Sequence, residues 1–189
     1  LNIVYRNISM VSSWAKEDSW KRTFNRFLFK KVNRVTSVGQ QSLEDLVKTY
    51  QYPVAKTKLI RRGIPSFFFD QVSERKKIAA EFGFNASSPL IIHIGQFSDE
   101  KNHPFLIESF QKVLLPIGNA KLLFIGEGKN FQAIQTFVND NKLDQAIFFA
   151  GHREGVQQLL AGSDLFIMGS TIEGVPGVVL EAGMHSLPT

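Results

Sequence analysis

Two carboxylates, Glu173 and Glu181, stand with seven residues between them. The segment they enclose opens as a turn, Gly174-Val175-Pro176-Gly177, and runs on through Val178, Val179 and Leu180. Pro176 suits the first turn of a helix, where its missing N–H costs nothing. The start of that helix offers unpaired backbone N–H groups at Gly177 and Val178, which attract an anion. Glu181 follows about five residues on, about 7–8 Å along the axis. A diphosphate at the helix start would then have a carboxylate near each end, one for sugar hydroxyls and one for ribose hydroxyls. The same residues also read more plainly: Glu173 opposing the helix dipole and Glu181 in solvent. Against the plain reading, Glu181 lies between Leu180 and Ala182 in an apolar, small-residue stretch.

Other candidate groups fall at the ends of apolar runs. Gly95 closes one such run, and a glycine there lets a ligand approach the backbone. Gln96 follows it, and Lys101 lies in the same loop, where a cation can neutralise phosphate oxygens. Taken alone, this reads more readily as an ordinary surface loop with a solvated lysine. Gly126-Glu127-Gly128 ends a second run; a lone Gly-x-Gly is more often a tight turn. It lacks the further spacing of a dinucleotide fingerprint, and no Gly-x-x-x-x-Gly-Lys loop occurs. Gly151-His152-Arg153 ends a third run and Ser170 a fourth. No nucleophile–histidine–carboxylate triad or metal-ligand cluster is evident in the sequence, and with no cysteine, disulfides, thiolate metal sites and thiol catalysis are excluded.

The elements that must hold these residues alternate. The spacing predicts strands at residues 90–94, 121–125, 146–149 and 164–168, with helices at residues 103–115, 130–139, 154–161 and 176–184 between and after them. Such alternation makes βαβ units with a parallel sheet covered on both faces, a doubly wound Rossmann-like α/β fold whose ligands bind at the carboxyl ends of the strands. Upstream, short strands are expected at residues 3–5, 34–38 and 58–60. Helices are expected at residues 19–31 and from Ser42, as cap, to Tyr50, with Leu43, Leu46, Val47 and Tyr50 on one face. A further helix is expected at residues 73–82. Gly63-Ile64-Pro65 breaks the pattern, so the chain divides into residues 1–64 and residues 65–189.

The chain carries 22 Lys and Arg against 17 Asp and Glu, a net charge of +5. Residues 21–34 hold Lys21, Arg22, Arg26, Lys30, Lys31 and Arg34 with no acid, interleaved with Phe24, Phe27, Leu28 and Phe29 after Trp20. One reading is an amphipathic helix with Phe24, Phe27 and Leu28 facing a core. The sharper one is a peripheral surface for anionic lipid. Nothing else in the chain supports nucleic-acid binding. No apolar run approaches the roughly 20 residues of a membrane-spanning helix. The chain begins at Leu1 and stops just past a helix-like segment, as a fragment with both ends cut would.

The Glu173–Glu181 spacing resembles the signature of the large retaining glycosyltransferase family called group 1 or family 4, with its two-Rossmann-domain GT-B fold. Residues 95–107 resemble that family's donor-phosphate loop, residues 123–128 its strand and Gly-acid-Gly turn, and residues 148–153 and 161–166 match in order and spacing. Residues 35–44 and 60–65 resemble the end of its first domain and the interdomain linker. The likeness covers nearly the whole chain. It implies a truncated acceptor-side domain over residues 1–64 and a donor-binding domain, truncated at its end, over residues 65–189. The activity implied is sugar transfer from a nucleotide diphosphate sugar to an acceptor hydroxyl with anomeric retention, on a glycan or lipid-linked acceptor of surface polysaccharide or glycolipid synthesis. A cytoplasmic home is compatible with the absence of cysteine. By the same resemblance Glu173 contacts the donor sugar, Glu181 binds ribose, and Lys101 stabilises the leaving diphosphate. Gly174, Val175, Pro176, Gly177 and Val178 cradle sugar and phosphate; Gly95, Gln96, Gly126 and Gly128 border the donor; the backbone near Arg153 touches the base. The donor is a co-substrate, no cofactor is implied, and no metal is needed for the chemistry, whose place protein cations and helix dipoles take.

Two departures matter. The family usually carries Arg where Gln96 stands. Gln keeps a hydrogen bond and loses a charge, forfeiting on the order of 1 kcal/mol of leaving-group stabilisation. A His is common after the strand near Tyr5, where this chain has Arg6 and Asn7. Gln96 also leaves room for a binding relative without turnover. A nucleotide-sugar epimerase of the same two-domain plan is a further reading, which the Glu173–Glu181 spacing and the Lys101 loop oppose.

Overall fold

In a computed structural model, residues 1–14, 19–173 and 175–189 are described. They form two compact units: Leu1–Gly63 with Ile172–Gly177, and Ile64–Thr171 with Val178–Thr189.

The first unit holds three parallel strands in the order β1-β2-β3: β1 (Val4–Asn7), β2 (Arg34–Ser37) and β3 (Thr57–Leu59). Helices α1 (Val11–Trp14) and α2 (Ser19–Phe29) link the first pair, and α3 (Gln40–Tyr50) precedes the third. Val11, Val35, Leu43, Leu46, Tyr50 and Tyr52 make the core. The expected apolar face of α3 is thus the buried one, with Val47 half-buried. Its cap differs from expectation. Gly39, extended at φ −131°, takes the N-cap position. Ser42 lies inside the first turn, buried, with its hydroxyl on the Gly39 carbonyl at 3.0 Å and on Ser37 Oγ at 3.0 Å.

The core reading of α2 is overturned. Trp20, Phe24, Phe27 and Leu28 are exposed, at 65%, 55%, 59% and 45%. The inward stripe is instead Arg22, Asn25, Arg26 and Phe29. Arg26 Nε donates to the Thr49 carbonyl at 3.1 Å, and Phe29 packs on Tyr5, Tyr50 and Tyr52. Helical C-terminal carbonyls attract cations, so the end of α3 draws in this polar face.

The second unit holds β4 (Leu90–Ile94), β5 (Lys121–Ile125), β6 (Ile147–Phe149) and β7 (Leu165–Phe166), all parallel, in the order β6-β5-β4-β7. Alternation along β4 and β5 divides two cores: Ile91, Leu122 and Phe124 on one face, Leu90, Ile92, Leu123 and Ile125 on the other. Helices α4 (Gln71–Phe82), α5 (His103–Ser109), α6 (Phe131–Asp140), α7 (Val156–Ala161) and α8 (Gly177–Met184) complete the alternation, the last joining this unit from Val178 onward. Asp70 caps α4 by accepting from the Ser73 N–H at 3.0 Å, so the helix starts earlier than Ser73. The α5 helix widens into a π-type turn over Phe110–Leu114. β7 is only two residues long, and Asp164 ahead of it braces the sheet: its carboxylate accepts the Leu90 N–H at 2.7 Å and pairs with Arg75.

Candidate functional site

The order β6-β5-β4-β7 places the reversal of winding between β4 and β7, the point where open α/β sheets bind ligands. The loops after these two strands are tied together. Thr171 N–H donates to the Glu100 carbonyl at 2.9 Å, and Ile167 N–H to the Ile92 carbonyl at 2.9 Å. Gly95 is half-buried at the end of β4, and its N–H continues the ladder to the Ile125 carbonyl at 3.0 Å. The Lys101 stem lies over it: a Cβ at Gly95 would meet Lys101 Cδ at 3.4 Å and His93 Nε2 at 3.1 Å. Gln96 is exposed beside it. Ser170 Oγ is buried at the same switch point and has no hydrogen-bond partner among the described residues.

The two glycines after β5 permit backbone contact. Gly126 has φ +138°, and any Cβ would collide with the Gly95 carbonyl. Gly128 has φ +155°, and its Cβ would meet the Phe97 carbonyl at 2.5 Å. Phe97 N–H donates to the Glu127 carbonyl at 2.9 Å, so the β4 and β5 loops act as one platform. Asp99 adds a strut through an ion pair to Lys129 and a 2.7 Å hydrogen bond from Asn130. The hydrogen bond from Lys129 holds the Asp99 carboxyl below the usual carboxylate range. Gly126 N–H reaches the Gly151 carbonyl at 2.9 Å, which brings the loop after β6 alongside. There Arg153 donates from Nε to the Ala150 carbonyl at 3.0 Å and pairs with Glu81, so its guanidinium serves the fold.

Sequence reasoning passed over a buried histidine pair beneath the platform. His93 and His103 are 0% and 1% exposed, with ring centroids 5.0 Å apart. His103 stacks on Phe97 at 4.0 Å. Burial pushes its pKa down to about 4, with His93 and Lys101 adding to the effect. His93 Nδ1 lies 2.9 Å from the Ile167 carbonyl, which can only accept, so that nitrogen carries a proton. The signal available was His93 inside an otherwise apolar strand.

Of the sequence-derived residues, the second unit therefore contains Gly95, Gln96, Lys101, Gly126, Gly128, Arg153, Val178 and a half-buried Glu181 on α8. Glu173, Val175, Pro176 and Gly177 group with the first unit, and Gly174 lies outside the described residues. The α8 helix starts at Gly177, which leaves Pro176 just ahead of it. In the first unit the Arg62 guanidinium lies against Gly177. A cavity of about 370 Å3 in the second unit sits elsewhere, at the amino ends of the strands near Ser88 and Lys121.

Parallel Rossmann-like sheets with these strand-end loops place the molecule among α/β proteins of the GT-B class. The family model described as "Glycosyl transferases group 1" matches residues 74–189, and the chain belongs to that family. The N-acetyl-alpha-D-glucosaminyl L-malate synthase of Bacillus anthracis is 31% identical over 122 residues, 65% of this chain and 31% of that protein. The putative glycosyltransferase EpsF of Bacillus subtilis is 25% identical over 94% of this chain and 48% of its own length. Among solved structures, Anabaena HepE in complex with UDP-glucose superposes with a TM-score of 0.81 at 20% identity, covering 99% of this chain and 52% of that one. The chain thus spans about half the length of such relatives, or less.

Proposed function

We propose that the protein to which this chain belongs transfers a sugar from a nucleotide diphosphate sugar to an acceptor hydroxyl, with retention of configuration, in surface polysaccharide or glycolipid synthesis. The observation that carries the reading is Lys101 lying over Gly95 at the β4–β7 switch point, on a platform whose glycines open the backbone to a ligand. In this reading Lys101 stabilises the departing diphosphate, Glu181 takes the ribose, and Glu173 with the turn before α8 takes the sugar. The helix start supplies N–H groups to the phosphates. The reading needs no metal, because Lys101 and the helix carry the leaving-group charge. Family membership favours it over the epimerase reading.

A second reading, nucleotide-sugar binding without turnover, draws on Gln96, since only one cation of the loop would face the diphosphate. One experiment separates them. In the complete protein, donor consumption is measured for wild type, Lys101→Ala and Gln96→Arg. Transfer predicts a fall of at least about 100-fold in kcat for Lys101→Ala, the size of losing one charge stabiliser, and an equal or higher rate for Gln96→Arg. Binding of donor with no turnover in all three supports the second reading; an unchanged rate in Lys101→Ala sinks the role given to that lysine.

We also propose that α2 rests on anionic membrane. Its apolar stripe, Trp20, Phe24, Phe27 and Leu28, faces outward and is flanked by Lys21, Lys30 and Lys31. No helix among the described residues is long and apolar enough to cross a membrane. Peripheral attachment on the cytoplasmic side fits that surface.

A further inference from the structure

The first unit has a crevice of its own. β1, β2 and β3 are parallel, and ligands of such sheets bind beyond the carboxyl ends of the strands. At that end lies a cavity of about 700 Å3, lined by Arg6, Thr36, Ser37, Ile60, Arg61 and Arg62 with their neighbours. Its size suits a sugar or a larger ligand. Every charged residue of the lining is an arginine. Arg62 is engaged against Gly177. Arg6 and Arg61 are exposed, and neither makes an ion pair or side-chain hydrogen bond among the described residues. Ser37 is already committed, its hydroxyl bonded to the Gly39 carbonyl at 3.1 Å and to Ser42. It shapes the wall and leaves recognition to the guanidinium groups.

Solvated surface arginines are common, but they repel one another when gathered in a concavity, and an oxyanion relieves that repulsion. The guanidinium fork matches a carboxylate or phosphate with two parallel N–H donors. We infer that this crevice binds an oxyanion, a phosphate or a carboxylate, through Arg6 and Arg61.

Calorimetric titration of the 189-residue chain with inorganic phosphate, glucuronate, neutral glucose, a thymidine oligonucleotide and UDP tests it. The proteins compared are wild type, Lys101→Ala, the double variant Arg6→Ala with Arg61→Ala, and the milder Arg6→Gln, each with its circular dichroism recorded. The expected result is oxyanion binding that persists in Lys101→Ala, weakens at least about tenfold in the folded double variant, weakens less in Arg6→Gln, and is absent for glucose. The stronger of phosphate and glucuronate names the source of the charge. Undiminished oxyanion affinity in the arginine variants overturns the inference, as does the absence of any oxyanion binding by wild type. Loss confined to Lys101→Ala also overturns it, by placing the anion at the donor loop. A thymidine oligonucleotide that binds more tightly than phosphate, and is released by the same double variant, overturns it in favour of nucleic acid. Full UDP binding by Lys101→Ala would instead count against the donor reading and leave the crevice untouched.

Discussion

Gly126 and His103 show how single residues hold the candidate site. At Gly126 the backbone sits at φ +138° with the Gly95 carbonyl where a Cβ would go. Gly126→Ala therefore meets both backbone strain and a collision with main chain that cannot swing aside. A loss of about 2–4 kcal/mol is expected in denaturant unfolding, larger than for Gly63→Ala, where a Cβ meets nothing within 4 Å. His103 makes the site's support sensitive to pH. Its pKa falls from 6.5 unfolded to about 4 folded, mainly through burial. Between those values the unfolded chain binds more protons, so stability rises with pH. The contribution is complete above about pH 6.5 and is lost as pH falls toward 4, by up to about 3 kcal/mol. His103→Phe keeps the stacking on Phe97 and cannot titrate. The stability difference between wild type and this variant should therefore shift against wild type between pH 7.5 and pH 5, and a pH-independent difference would refute the assignment.

At the scale of elements, periodicity told where a helix lay more reliably than what its apolar stripe touched. β4 and β5 were legible to the residue because they are short apolar runs ended by glycine, buried on both faces. The platform glycines were legible as glycines, while their close contact depends on strand register, which no local pattern reveals. The helix α2 misled for a physical reason. An amphipathic pattern announces that one side prefers an apolar neighbour and is silent about which neighbour that is. Here the polar stripe finds the carbonyl end of α3, where Arg26 bonds Thr49, and the Trp20–Leu28 stripe is left outward. That arrangement carries its own test. The wild-type chain should co-sediment with phosphatidylglycerol vesicles and much less with phosphatidylcholine vesicles. Phe24→Ser with Phe27→Ser should lose most of the binding with little cost in stability, since both side chains are already exposed. Substantial destabilisation by these changes would mean that the stripe covers protein.

At the scale of the molecule, each unit carries its own core, one around Val35 and Leu46, the other on both faces of β4 and β5. Separate cores allow separate unfolding, and the sequence supplies a way to see it. Every tyrosine and tryptophan of the chain belongs to the first unit, with Tyr50 and Tyr52 in its core, so fluorescence excited through these rings reports that unit alone, while far-ultraviolet circular dichroism reports both. A ligand that binds only the folded form stabilises by RT ln(1 + [L]/Kd), about 2.7 kcal/mol at a hundredfold excess over Kd. For a unit the size of the second, that is a rise of very roughly 10 °C. If the nucleotide diphosphate binds the platform around Gly95 and Lys101, UDP should move the circular dichroism transition upward and leave the fluorescence transition within a degree or so. Lys101→Ala should abolish most of the shift. A fluorescence transition that moves as far as the dichroism one would show that the two cores melt together and that ligand energy spreads through the whole chain. An unmoved pair of transitions at saturating UDP would remove the donor site from the second unit.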